Sequence, residues 1–218
     1  LAHDEFAGIT MLVRPIPGTT TPRSKFKSRP LVETDITATV RWFNRHGFPR
    51  ATKPVASDAL FAIAAQTVVS PVQSYLEGLR WDGTPRVDAW LCRYCGAEDT
   101  ELTAKIGKAW LLSAVARALD PGCKADCVLV LEGRQGAGKS SVFRVLASDE
   151  WFCDSLPDMH SKDAKSALLG KWIVEIPELA AMRRSDTEMV KAFISRTSER
   201  YRPAYGRTEV IQPRVRTH

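Results

Sequence analysis

The sequence predicts an α/β protein in two parts, a mostly helical N-terminal region and a C-terminal module of buried strands and helices. Three observations carry that prediction. The stretch Gly133-Arg134-Gln135-Gly136-Ala137-Gly138-Lys139-Ser140 fits G-x-x-x-x-G-K-[ST] at every fixed position. The apolar run 127–131 precedes it with the composition of a buried strand, and residues 141–146 follow with apolar side chains spaced for one face of a helix. Upstream, helix signals recur between residues 31 and 122.

Strand, glycine-rich loop and helix together make an anion site. Glycines let the backbone turn tightly, so that successive N–H groups converge as a nest, and the new helix adds free N–H donors and the positive end of its dipole. Gly133, Arg134, Gln135, Gly136, Ala137, Gly138, Lys139, Ser140 and Ser141 are therefore the expected nucleotide-binding residues. Lys139 is placed to reach the β- and γ-phosphates of ATP, and the Ser140 hydroxyl to ligate Mg²⁺. The plain alternative is a glycine turn that happens to end in Lys-Ser; the strand and helix signals on its flanks argue against it.

Composition bounds the rest. The 218 residues suffice for one large or two small domains, and 44% hydrophobic with 26% charged residues is ordinary for a globular chain. No apolar run approaches a membrane span and no signal-peptide pattern opens the chain, so a cytoplasmic protein without membrane contact is expected. The five cysteines include one C-x-x-C, Cys92 and Cys95, within a stretch that reads as helix; they are expected as small apolar residues rather than zinc ligands. The net charge of +6 is uneven. Residues 1–53 and residues 183–218 each hold nine Lys/Arg against four Asp/Glu, whereas the middle is mildly acidic. Basic ends of this kind suit contact with polyanions, and equally suit solvated termini.

Element by element, the first 30 residues read as a loop or linker because of Pro15, Pro17, Gly18, Pro22 and Pro30, with a short strand possible at 9–13. Thr34-Asp35 caps a helix running through Trp42 and Phe43 to Gly47, and Ser57 caps a second through Phe61. Pro71 opens a short helix, 81–86 is a turn, and a longer helix spans about 101–119 before Asp120-Pro121-Gly122. The domain reading is thus a linker over 1–30, a helical region over 31–122, and the nucleotide-binding core over 123–218.

A second chemical site follows. After a helix expected at 162–169, Trp172-Ile173-Val174-Glu175-Ile176-Pro177-Glu178 reads as a hydrophobic strand ending in acid. Such a site needs one carboxylate near Mg²⁺ and another to orient the attacking water. Glu178, at the expected strand end, is the stronger choice for metal and catalysis; Glu175, three residues earlier, can point to either face. Ser185-Asp186-Thr187-Glu188 then opens a helix as a capping box. Beyond it, arginines alternate with tyrosines in 196–207, as suits a nucleic-acid backbone with stacked bases, or an arginine-rich surface turn.

Several of these segments together resemble the virulence-associated E family, proteins of prophages and mobile elements related to superfamily 3 helicases. They are Pro71-Val72 with Tyr75-Leu76, Leu79 with Trp81-Asp82-Gly83, Pro121-Gly122-Cys123-Lys124, the glycine-rich loop, Gly170 to Glu175, Glu178-Leu179, Lys191-Ala192-Phe193, and Tyr201-Arg202-Pro203 with Tyr205-Gly206-Arg207. The resemblance implies an AAA+-like P-loop NTPase module of three layers, acting as a DNA-dependent ATPase in replication beside a primase module. It also implies a hexameric ring whose hairpin grips single-stranded DNA, making Lys191, Arg200, Arg202, Tyr205 and Arg207 the DNA-contact candidates. Members continue into a strand bearing a Thr-Asn pair and an arginine stretch, while this sequence ends at His218 as that strand should begin. The expectation is therefore a core truncated before that strand, with weak or absent hydrolysis. Two alternatives stay open: a P-loop kinase with Arg183-Arg184 in its lid, and a nucleotide-gated DNA-binding module without turnover.

Overall fold

Residues 1–30 supply strands where their composition suggests a linker. The computed structural model describes residues 1–155, 168–177, 184–201 and 210–218. Its first compact unit, Leu1–Pro71, holds a sheet in the order β3-β2-β1-β4. β1 (Ala2–Asp4) pairs antiparallel with β2 (Ile9–Leu12), β2 antiparallel with β3 (Arg29–Pro30), and β1 parallel with β4 (Val68–Val69). Buried Asp4 turns the first hairpin, its Oδ1 accepting from the Phe6 and Ala7 N–H groups at 2.9 and 3.0 Å. Pro30, which has no N–H to donate, sits on the edge strand. The prolines and hydroxyl residues describe only the connection between β2 and β3; strands of two to four residues are too short to show a period.

Two helices complete this unit, α1 (Glu33–Arg45) and α2 (Lys53–Ala64), and their Ile36, Ala56 and Leu60 form its core with Leu1, Leu31 and Val40. α2 starts before the expected Ser57 cap, with Pro54 in its first turn, where the missing N–H costs nothing. Asp35 ties α1 to the sheet. Its carboxylate accepts from both Arg29 Nη atoms at 2.6 and 2.7 Å and from the Val32 N–H at 3.0 Å. The Arg29 hydrogen bonds hold its pKa below the usual carboxylate value. A depressed pKa contributes stability that is present above the unfolded carboxylate value, about 3.9, and lost as pH falls through the folded one. Asp35→Ala removes a cap and an ion pair and is expected to cost about 2 kcal/mol at pH 7. Melts from pH 7 down to 3 check this: acid destabilisation should be shallower in the variant, and identical slopes would contradict it.

The second unit, Val72–His218, has its own core. Its helices are α3 (Pro71–Gly78, whose first residue closes the preceding unit), α4 (Trp90–Cys95), α5 (Glu101–Leu119) and α6 (Lys139–Trp151). β5 (Phe152–Cys153) and β6 (Ile173–Val174) follow, then α7 (Arg184–Ile194) and the antiparallel pair β7 (Ser198–Tyr201) and β8 (Val210–Pro213). Val190, Phe193 and Ile194 of α7 pack on Val174 and Leu168, each burial stabilising by about 1.5–3 kcal/mol. α4 and α5 approach closely because position 107 is glycine: a Cβ there would stand 2.6 Å from Trp90 Nε1.

Sheet continuity explains how the glycine-rich loop is hung. β5 pairs parallel with β6, and the terminal segment runs beside β6 in turn, with the Val174 N–H donating to Thr217 O at 3.0 Å and the Thr217 N–H to Trp172 O at 2.8 Å. The next neighbour is 127–131, tied by the Leu129 N–H to His218 O at 3.4 Å. Among the described residues, 127–131 form no ladder strand of the kind their apolar run predicts, and Val130 is 55% exposed. α5 braces both sides: Trp110 Nε1 donates to His218 O (2.7 Å) and Trp172 Nε1 to Ala114 O (2.9 Å). The architecture is mixed α/β with small sheets, in two compact units, Leu1–Pro71 and Val72–His218.

Candidate functional site

The loop from Gly133 to Ser140 has the local geometry its glycines require. Gly136 and Gly138 both adopt left-handed backbone, φ +78° and +79°, which side-chain-bearing residues rarely enter, and Gly138 directly precedes α6. The loop residues 133–138 are exposed, whereas Lys139 and Ser140 are partly buried where the helix begins. Lys139 folds back over the loop, its Nζ donating to Gly133 O at 2.8 Å and Arg134 O at 2.9 Å. The ammonium thus rests on two loop carbonyls.

Ser140 meets an acid. Its Oγ donates to Glu175 Oε1 at 2.7 Å, across 35 residues of sequence, and Glu175 Oε2 is buried without a hydrogen-bond partner. The acid is placed by β6. The Glu175 N–H donates to Cys153 O at 2.8 Å, which sets the residue just past the carboxyl end of that parallel strand. Ligands of open parallel sheets gather at such ends. The strand is shorter than its apolar run suggests, ending at Val174 with Glu175 directly after it. Pro177 has no N–H with which to extend a ladder. Glu178 itself lies outside the described residues.

Chemically, the pair offers hard oxygen donors. A buried carboxylate oxygen with no partner, beside a serine hydroxyl, fits a divalent cation that completes its shell with waters and phosphate oxygens. A cavity of about 570 Å³ opens along this edge, lined by Glu132, Lys139, Phe143, Glu175 and Pro177 among others. Among the described residues no cluster of three or more His, Cys, Asp or Glu could form a protein-only metal cage. Cys92 and Cys95 are free, partly buried thiols, both pushed upward in pKa by burial, and Cys92 Sγ donates to Glu98 O at 3.4 Å.

The DNA-contact candidates lie elsewhere in the unit. Lys191 is exposed on α7 and ion-paired with Glu188 at 3.0 Å, and Arg200 is exposed on β7. The β7–β8 pairing, Ser198 opposite Pro213 through Tyr201 opposite Val210, forms the hairpin stem that the arginine–tyrosine run predicts. Arg202, Tyr205 and Arg207, like the helix expected at 162–169, fall wholly or mostly outside the described residues. No helix among the described residues is long and apolar enough to cross a membrane.

Fold and site define a mixed α/β protein with a glycine-rich loop whose Ser140 is closed against a strand-end carboxylate. Its family is defined by comparison. Residues 76–216 match the virulence-associated protein E-like domain, and because the match spans most of the chain, the protein belongs to that family. It thereby fits a protein of phages or mobile elements. A comparison with curated proteins gave no match.

Proposed function

We propose that this chain is the nucleotide-binding part of a DNA-dependent, helicase-like ATPase that serves the replication of a phage or mobile element. The observation that carries the reading is the Ser140–Glu175 contact at 2.7 Å beside a complete G-x-x-x-x-G-K-S loop, with the second carboxylate oxygen buried and unpartnered. Glycine-rich loops bind many anions; a loop that also presents a hydroxyl and a carboxylate to one point is suited to a metal-bound triphosphate.

Each residue has a task. The N–H groups of 133–140 cradle the phosphates, and Lys139 exchanges its two loop carbonyls for phosphate oxygens. Ser140 and Glu175 hold Mg²⁺, which when bound supplies charge neutralisation at the β- and γ-phosphates. Glu178, three residues beyond Glu175, orients the attacking water. The hairpin on β7 and β8, with Lys191, Arg200, Arg202, Tyr205 and Arg207, grips single-stranded DNA, and copies of the chain assemble as a hexameric ring beside a primase module.

Steady-state phosphate release, measured with and without single-stranded DNA, tests the reading. Mg²⁺-dependent hydrolysis that DNA stimulates is expected. Phosphate appearing in a small-molecule acceptor instead of water would identify a kinase and overturn the proposal.

A further inference from the structure

A second cavity, of about 460 Å³, lies on another face of α6. Four of its lining residues come from that helix, Ser141, Val142, Val145 and Leu146; Trp90 and Tyr94 of α4, with Arg86, close the opposite side. The residues of the metal-side cavity, Lys139 and Phe143, sit on an adjoining face of the same helix, since positions four apart share a face. The accessible wall of the second cavity is carbon throughout. Arg86 contributes no free charge to it, because both its Nη atoms are held by the Asp82 carboxylate at 2.8 and 2.7 Å. The back wall is stiff: Trp90 is 5% exposed and its ring lies 5.8 Å from Trp110, which in turn stands 5.1 Å from Phe143. The front is open, with Tyr94 55% and Val145 83% exposed.

We propose that this slot holds the base of the bound nucleotide, and that it does so without reading which base it is. The inference rests on the phosphate-loop reading above. Its own warrant is adjacency. Ser141 and Val142 directly follow the residue assigned to Mg²⁺, and Val145 lies five residues, about 7.5 Å of helix, beyond it. That is within the reach of one nucleoside triphosphate. A base is a flat ring with two apolar faces and a polar edge. An aromatic and aliphatic slot open to solvent takes the faces by stacking and leaves the edge in water. Strong discrimination between bases needs buried polar partners for that edge, and this wall has none, so ATP and GTP are expected to bind within about tenfold of each other.

The test compares ATP, GTP and inorganic tripolyphosphate by calorimetry with Mg²⁺ present, on the wild-type chain and on Tyr94→Ala and Val145→Gln, both at exposed positions where folding is undisturbed by circular dichroism. In the wild type, ATP and GTP should each bind at least about tenfold more tightly than tripolyphosphate, the increment expected of one stacked base. In both variants that increment should collapse toward one while tripolyphosphate affinity holds. An unchanged increment in both variants would place the base elsewhere and overturn the proposal. So would a preference between ATP and GTP above about a hundredfold, which requires an edge-reading site. Self-association lost in Val145→Gln with the increment intact would make the slot an interface between copies instead. Failure of the wild type to bind even tripolyphosphate would refute the phosphate-loop reading itself, and this inference with it.

Discussion

Lys139→Ala is expected to lower ATP affinity about a hundredfold, the loss of charge-assisted hydrogen bonds to phosphate that neighbouring groups cannot replace. The side chain is partly buried and is anchored, among the described residues, to the carbonyls of Gly133 and Arg134 alone, so its removal should leave the fold intact. Titration with a fluorescent ATP analogue measures the change, and affinity within about threefold of wild type would show that the loop is not the phosphate site. The same variant separates functions. Affinity for single-stranded DNA should survive in part, because the basic hairpin on β7 and β8 does not include Lys139. A nucleotide kinase would show no such affinity in either form.

Glu175→Gln should act differently. The substitution keeps the size and the hydrogen-bonding capacity toward Ser140 Oγ but removes the charge that a cation needs. Mg²⁺ dependence of ATP affinity should fall by about 10–100-fold, the usual cost of losing a group that positions a metal, while nucleotide affinity measured without Mg²⁺ stays near wild type. Glu178→Gln should give the converse pattern, with Mg-ATP still bound and turnover lost, because its assigned task concerns water alone. If the two substitutions exchange these effects, the metal belongs to Glu178 and the 2.7 Å contact of Glu175 is structural.

What could be read from the sequence was what short-range chemistry dictates. The glycine-rich loop is written in eight consecutive residues, and the helix expected over about 101–119 before an Asp-Pro-Gly stop is found at Glu101–Leu119, with Thr100 as the cap that the structure adds. Strands were less legible. β2 at Ile9–Leu12 was signalled by the apolar run 9–13, but β1, β3 and β4 run two or three residues each, below any usable period, and the 127–131 run satisfies the pattern of a buried strand yet has no full ladder partner among the described residues. β6 ends at Val174, earlier than its apolar run suggests, which leaves Glu175 directly after the strand, whereas Glu178 lies outside the described residues. The slot on α6 could not be seen at all. Its walls come from residues 86–94, Leu111 and 141–146, which meet only when Gly107 lets α4 lie close against α5.

The central claim is that a nucleotide site and a DNA-gripping hairpin belong to one device, and the affinity of the wild-type chain for a labelled single-stranded oligonucleotide tests it most directly. Fluorescence anisotropy should be followed across salt concentration, with and without Mg-ATP. Affinity that falls steeply with salt, as phosphate contacts by several Lys and Arg side chains require, and that shifts when Mg-ATP is added, is the predicted result. No salt-dependent affinity, or an affinity indifferent to Mg-ATP, would contradict it.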